Sequence, residues 1–149
     1  MKTGIPKYKI LLADDDIDDC NSFKESLEEL KLSYALTVVH NGEQLMKLLN
    51  ETGEYPDVIF LDLNMPRKTG FQCLAEIKED KRTNMIPVVI VSTSLDNYTI
   101  ERLYEGGAIH FIQKPSDFTQ LTSLVYKALK ALSFPQSNDG FKEKFVIFP

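Results

Sequence analysis

The sequence has no apolar run approaching ~20 residues, the length a helix needs to cross a bilayer. Nothing in it therefore reads as a membrane span. Met1 to Lys9 lack the apolar stretch of a secretion signal. Cysteine is scarce: Cys20 and Cys73 lie far apart, each within a helical pattern. This favours free buried thiols in a reducing cytoplasm over a disulfide framework. Basic charge is in deficit, with 17 Lys and Arg against 22 Asp and Glu, a net charge of -5. An acidic chain without a basic stripe is a poor candidate for direct nucleic-acid binding. Gly106-Gly107 lacks any Gly-x-Gly-x-x-Gly or P-loop context, so it reads as a helix stop. Repeats and low-complexity segments are absent as well. What remains is a chain of ordinary globular make-up, expected in the cytoplasm. Its 149 residues suggest one domain, with 43% apolar residues to fill a core.

The strongest local signal is Asp57-Val58-Ile59-Phe60-Leu61-Asp62-Leu63-Asn64-Met65-Pro66. It starts as an unbroken apolar run too short for a helix, which suits a strand buried on both faces. Met65-Pro66 stops it, because proline has no N–H and holds its predecessor extended. Comparable strands are Tyr8 to Ala13, Ala35 to Val39, Ile86 to Val91 and Ala108 to Gln113. Between and after them lie helical stripes. Ile17, Cys20, Phe23, Leu27 and Leu30 form the first. Leu45, Met46, Leu48 and Leu49 form the second, and Phe71, Leu74 and Ile77 the third. A short helix is expected over Asp96 to Tyr104, and a last one from a Ser116 or Asp117 cap through Leu132. Strand and helix alternate five times. The expected fold class is α/β, a doubly wound parallel sheet of five strands with helices on both faces.

Right-handed crossovers put every strand's carboxyl end on one edge, where open parallel sheets bind ligands. That edge collects Asp14 and Asp15, then Asp62, then Ser92 and Thr93, then Lys114. Crowded carboxylates repel, so a cation must offset them. Hard oxygen ligands with room for water suit Mg²⁺ or Mn²⁺. An ammonium and a hydroxyl beside such a cation can hold a phosphoryl group, and a carboxylate is a competent nucleophile towards phosphorus. Taken alone, each piece also has a plainer reading. Asp14 to Asp19 could be a solvated acidic helix start, Ser92-Thr93-Ser94 a polar loop, and Lys114-Pro115 a surface turn. His40 and His110 read as packing or surface residues.

The pieces Ile10 to Asp16, Phe60 to Pro66 with Gly70, Val91-Ser92-Thr93 and Lys114-Pro115 together resemble the receiver domain of two-component response regulators (CheY-like), of the stand-alone type. The likeness covers roughly Tyr8 to Leu132. It implies a flavodoxin-like (βα)5 fold, with a receiver domain over 1–132 and a C-terminal tail of undecided structure over 133–149. It implies that Asp62 is the phosphoacceptor, that Asp15 and Asp62 bind Mg²⁺ directly with the backbone carbonyl of Asn64, and that Asp14 binds it through water. Ser92 resembles the hydroxyl that follows the phosphoryl group, with Thr93 beside it. Lys114 resembles the lysine that pairs with phosphoryl oxygens, in a family where the Lys114-Pro115 bond is typically cis. Asn64 and Ser94 match positions that tune dephosphorylation. Phe111 falls at the switch aromatic, commonly tyrosine.

The function this implies is a signalling switch. A histidine kinase or histidine phosphotransfer protein supplies the phosphoryl group, and the domain then alters its surface towards a downstream protein or passes the group on in a phosphorelay. It would catalyse only its own phosphorylation and slow hydrolysis, and would not be a metabolic enzyme. With 17 residues after Leu132, no output domain is expected. A homodimer through the last helix and tail is an open option. Two alternatives differ in class. An aspartate-nucleophile phosphatase of the haloacid dehalogenase type needs an acid two residues after the nucleophile, where this chain has Asn64. A binding module that is never phosphorylated would not need the acidic pair and the lysine.

Overall fold

The structure is a computed structural model and describes residues 7–133 and 144–149. Residues 1–6 and 134–143, at the start of the expected domain and within the expected tail, lie outside the described residues. The elements run β1 (Tyr8–Ala13), α1 (Ile17–Glu29), β2 (Tyr34–Val39), α2 (Gly42–Glu51), β3 (Val58–Asp62), α3 (Gly70–Glu79), β4 (Val88–Ser92), α4 (Asn97–Glu105), β5 (His110–Gln113), α5 (Phe118–Ala131) and β6 (Val146–Ile147). The sheet order is β2-β1-β3-β4-β5-β6, and every pairing is parallel.

The five expected strands are present, in the 2-1-3-4-5 order of flavodoxin-like sheets. β4 begins at Val88 because Pro87 has no N–H to give to the ladder; its carbonyl accepts from the Ile59 N–H at 2.9 Å. The tail adds a sixth strand. Phe145 is buried, and Val146 and Ile147 pair with Phe111 and Ile112. The sequence left open packing along the last helix, pairing with a second chain or mobility for this stretch; pairing within its own sheet was not among these options. Two residues of strand are too few to announce themselves by alternation.

Strand parity sorts the core into two layers. Leu11, Ala13, Ile59, Leu61, Val88, Ile90 and Phe111 pack with residues of α2, α3 and α4. Ile10, Leu12, Val58, Phe60, Val89, Val91 and Ile112 pack with residues of α1 and α5. β3 is buried along its whole length, which explains its unbroken apolar run. Each such side chain contributes roughly 1.5–3 kcal/mol by leaving water.

Helix starts are set by side-chain caps: Asp16, Asn41, Thr69, Asp96 and Asp117 each accept from a backbone N–H in the first turn. Parallel βα units place these starts at the carboxyl ends of the strands. Several partially positive helix ends therefore surround the acidic edge. The bond before Pro115 is not cis; no cis peptide occurs among the described residues.

Candidate functional site

β1 and β3 are neighbours, and the chain order of the sheet reverses between them. The crevice at such a reversal is where open α/β sheets bind ligands. Parity then aims the side chains. Asp14 is two residues beyond Leu12, Asp62 two beyond Phe60, and Lys114 two beyond Ile112. These three apolar residues all lie in the α1/α5 layer, so the three charged groups emerge on that side of the crevice. Carboxylate oxygens of Asp14, Asp15 and Asp62 lie within 4.8 Å of one another. The Lys114 ammonium is 3.0 Å from Asp14 Oδ2 and 3.6 Å from Asp62 Oδ1.

Backbone contacts hold the frame. The Asp14 N–H donates to Val39 at 3.0 Å, and the Asp16 N–H donates to Asp14 Oδ1 at 2.9 Å. The Lys114 N–H donates to the Ser92 carbonyl at 2.7 Å, which ties the lysine to the end of β4. Gly70 lets the loop after β3 fold onto the site. Its N–H donates to the Leu63 carbonyl at 2.9 Å, and a Cβ there would lie 2.5 Å from the Asp62 carbonyl oxygen. The Asn64 backbone N–H acts on the Asp62 carboxyl to lower it, and the Asn64 side chain is exposed.

Electrostatics at the site are unbalanced. Burial raises the Asp62 carboxyl to about 6, helped by the Asp14 charge and opposed by Lys114. Asp14 is also raised, first by burial. Burial alone would lower Lys114, but its ion pairs with Asp19 and Asp14 hold it above the usual lysine range. Clustered carboxylates with too little positive charge fit a hard divalent cation, and Asp14 and Asp62, both buried, with the exposed Asp15 offer that set. A cleft of about 270 Å³ opens beside Lys114, lined by Asp14, Asp19, Val91, Phe118 and Leu121 among others.

The remaining expected residues fall elsewhere. Ser92 is fully buried at the end of β4, and its Oγ accepts from the Ser94 N–H at 3.3 Å. It has the parity of Ile90, which pairs with Phe111, so Ser92 and Phe111 belong to the α4 side of the sheet. Thr93 and Ser94 are exposed in the loop; the Thr93 carbonyl accepts from Gln113 Nε2 at 3.2 Å. His40 places Nδ1 3.0 Å from the Asp14 carbonyl, a packing role.

One site residue escaped the sequence reading. Asp19 Oδ2 is 2.8 Å from the Lys114 ammonium, nearer than either Asp14 or Asp62. Its sequence neighbours mark it only as acid at a helix start. The available clue was the cap at Asp16, which turns the first turn of α1 back towards the sheet edge.

Comparison with known proteins identifies the family. The family model described as response regulator receiver domain matches residues 10–126. The probable C4-dicarboxylate response regulator DctR of Bacillus subtilis (strain 168) is 30% identical over 140 residues, which cover 93% of this chain. The response regulator Rcp1 of Synechocystis is 32% identical over 125 residues, 80% of this chain. The chain spans 59% of the length of DctR and 85% of Rcp1. Among solved structures, the phosphorylated cyanobacterial phytochrome response regulator RcpA has a TM-score of 0.77 at 32% identity, covering 87% of this chain and 96% of that one. The Mn²⁺-bound form of Rcp1 has a TM-score of 0.73 at 28% identity, covering 95% and 99%. Fold and family match agree: the chain belongs to the response regulator receiver domains, the signal-accepting modules of two-component systems.

Proposed function

We propose that Asp62 accepts a phosphoryl group from a phosphohistidine on a histidine kinase or phosphotransfer protein. The observation that carries this reading is the Lys114 ammonium, 3.6 Å from the buried Asp62 carboxylate beside Asp14 and Asp15. In the transfer, a carboxylate oxygen of Asp62 forms a bond to phosphorus as the bond from phosphorus to the donor imidazole breaks. Such transfers depend on positioning and charge neutralisation more than on proton movement. Asp15, Asp62, the Asn64 carbonyl and, through water, Asp14 would hold Mg²⁺ or Mn²⁺, which supplies positive charge against the phosphoryl oxygens.

Lys114 neutralises a phosphoryl oxygen from the α1/α5 side. Ser92 reaches towards another from the α4 side and draws the loop of Thr93 and Ser94 with it. That movement repacks Phe111 and changes the face formed by α4, β5 and α5, a two-state element biased by local charge. The altered face addresses a downstream protein, or the phosphoryl group passes onward in a relay. Slow hydrolysis, tuned by Asn64 and Ser94, resets the domain, so the role is signalling and not metabolic turnover. The test is labelling by acetyl phosphate with Mg²⁺. Wild type takes up one phosphoryl group and Asp62→Asn takes up none; undiminished labelling of Asp62→Asn would remove the proposal.

A further inference from the structure

We infer that Asp19 is a positioning residue that competes with the phosphoryl group for Lys114. The inference rests on the phosphoacceptor reading of Asp62. The Lys114 ammonium has three protons to give, and it faces Asp19 at 2.8 Å, Asp14 at 3.0 Å and Asp62 at 3.6 Å. Its nearest partner is therefore not the carboxylate that would receive phosphate.

The Asp19 main chain is held by the helix start. Asp19 sits in the first turn of α1, and its N–H donates to the cap residue Asp16 at 3.0 Å. α1 packs along α5, the helix that begins just after Lys114-Pro115. The anchor and the lysine thus sit on two elements packed together. The Asp19 side chain is also 44% exposed, against 6% for Asp62. Water can take over its hydrogen bonds, so this pair is the easiest of the three to give up. Asp14 is buried and carries its own bond to the Asp16 N–H, so it is the harder partner to release.

Phosphorylation brings roughly two negative charges next to Asp62. The ammonium is then drawn from Asp19 towards a phosphoryl oxygen on the Asp62 side, where it stands 3.6 Å off and holds no hydrogen bond. The Asp19 contact is thus weakened in the phosphorylated state and intact in the resting state. Asp19 consequently favours the resting state and lowers affinity for the phosphoryl group. A partly exposed ion pair of this kind shifts an equilibrium by about two- to five-fold.

The experiment is calorimetric titration of the full chain, saturated with Mg²⁺, with beryllofluoride, a non-covalent stand-in for the phosphoryl group. Asp19→Asn and Asp19→Ala are expected to bind it about two- to five-fold more tightly than wild type. Asp19→Glu, which restores the anchor, is expected to return towards wild type. Asp18→Asn is expected to leave affinity unchanged, because Asp18 shares the first turn of α1 and is exposed. In a Lys114→Met background the effect of Asp19→Asn should vanish, which separates competition for the lysine from loss of a nearby charge. If Asp19→Ala does not fold, Asp19→Asn carries the test. Unchanged or weaker binding by Asp19→Asn overturns the inference, and so does a gain that persists without Lys114. Wild type that binds no beryllofluoride would instead overturn the phosphoacceptor reading, and this inference with it.

Discussion

The Phe111 N–H donates to the Phe145 carbonyl at 2.9 Å, joining the last strand of the domain to the end of the chain. Around that bond the tail is well anchored. The Phe145 ring stands edge-on to Tyr104 with centroids 5.5 Å apart. His110 Nδ1 lies 3.2 Å from the carbonyls of both Lys144 and Phe145, so that nitrogen carries the proton. Lys127 donates to the Phe148 carbonyl at 2.8 Å. β6 thereby covers the edge of β5, on the face that the proposed switch would alter.

Phe145 is accordingly part of the core and not an appendage. Phe145→Ala is expected to destabilise the protein by about 3–5 kcal/mol, the usual cost of emptying a buried phenyl site. Urea unfolding checks this through a lowered midpoint. A midpoint within error of wild type would mean that the tail contributes nothing to the folded domain.

Gly70 makes a second, local prediction. A methyl group there meets the Asp62 carbonyl oxygen and the Leu63 Cα, both backbone atoms that cannot turn aside. Gly70→Ala should displace the loop after β3, cost about 1–3 kcal/mol, and weaken Mg²⁺ binding at the same time. Unfolding and metal titration of the same sample distinguish this from a simple loss of stability.

The raised Asp62 carboxyl predicts an unusual pH dependence. Its ordinary value is 3.8, and in the fold it titrates at about 6. Between these values the folded protein keeps a proton that the unfolded chain has released, so stability falls as pH rises through that window. The contribution is on the order of 2 kcal/mol. Metal-free wild type should lose stability from pH 4 to pH 6 relative to Asp62→Asn, whose curve lacks this component. Added Mg²⁺ at pH 7 should restore stability to wild type more than to the variant. Parallel curves for the two proteins would contradict the crowded-acid picture.

Lys114 lowers the Asp62 carboxyl and would neutralise the transferred group. Lys114→Met is therefore expected to push Asp62 further up, seen by carboxyl NMR titration, and to slow labelling by acetyl phosphate about 10²-fold. An unmoved Asp62 titration would show that the ammonium does not act at that distance.

The sequence carried much of this arrangement because strand ends are legible. A buried run that stops at a lone carboxylate, as at Phe60-Leu61-Asp62, marks a strand whose end leaves the core at that acid. Asp14, Asp15 and Lys114 followed from the same logic applied to β1 and β5. Parity, which puts Ser92 with Phe111 and away from Lys114, needed the observed register. Asp19 was hidden because its partner lies far along the chain, and only the packing of α1 on α5 brings them together. Val146 and Ile147 were hidden by shortness. They join the sheet beside Phe145, whose ring is buried in the same core layer as Phe111 and stands edge-on to Tyr104.

The proposed switch requires that phosphorus lands on Asp62 and on no other residue of the site. Borohydride reduces an aspartyl phosphate to homoserine, and peptide mass spectrometry then reads the modified position. After incubation with acetyl phosphate and Mg²⁺, the predicted result is homoserine at position 62 and nowhere else. Homoserine at position 14 or 15, or phosphate stable on His40, His110 or Ser92, would contradict it.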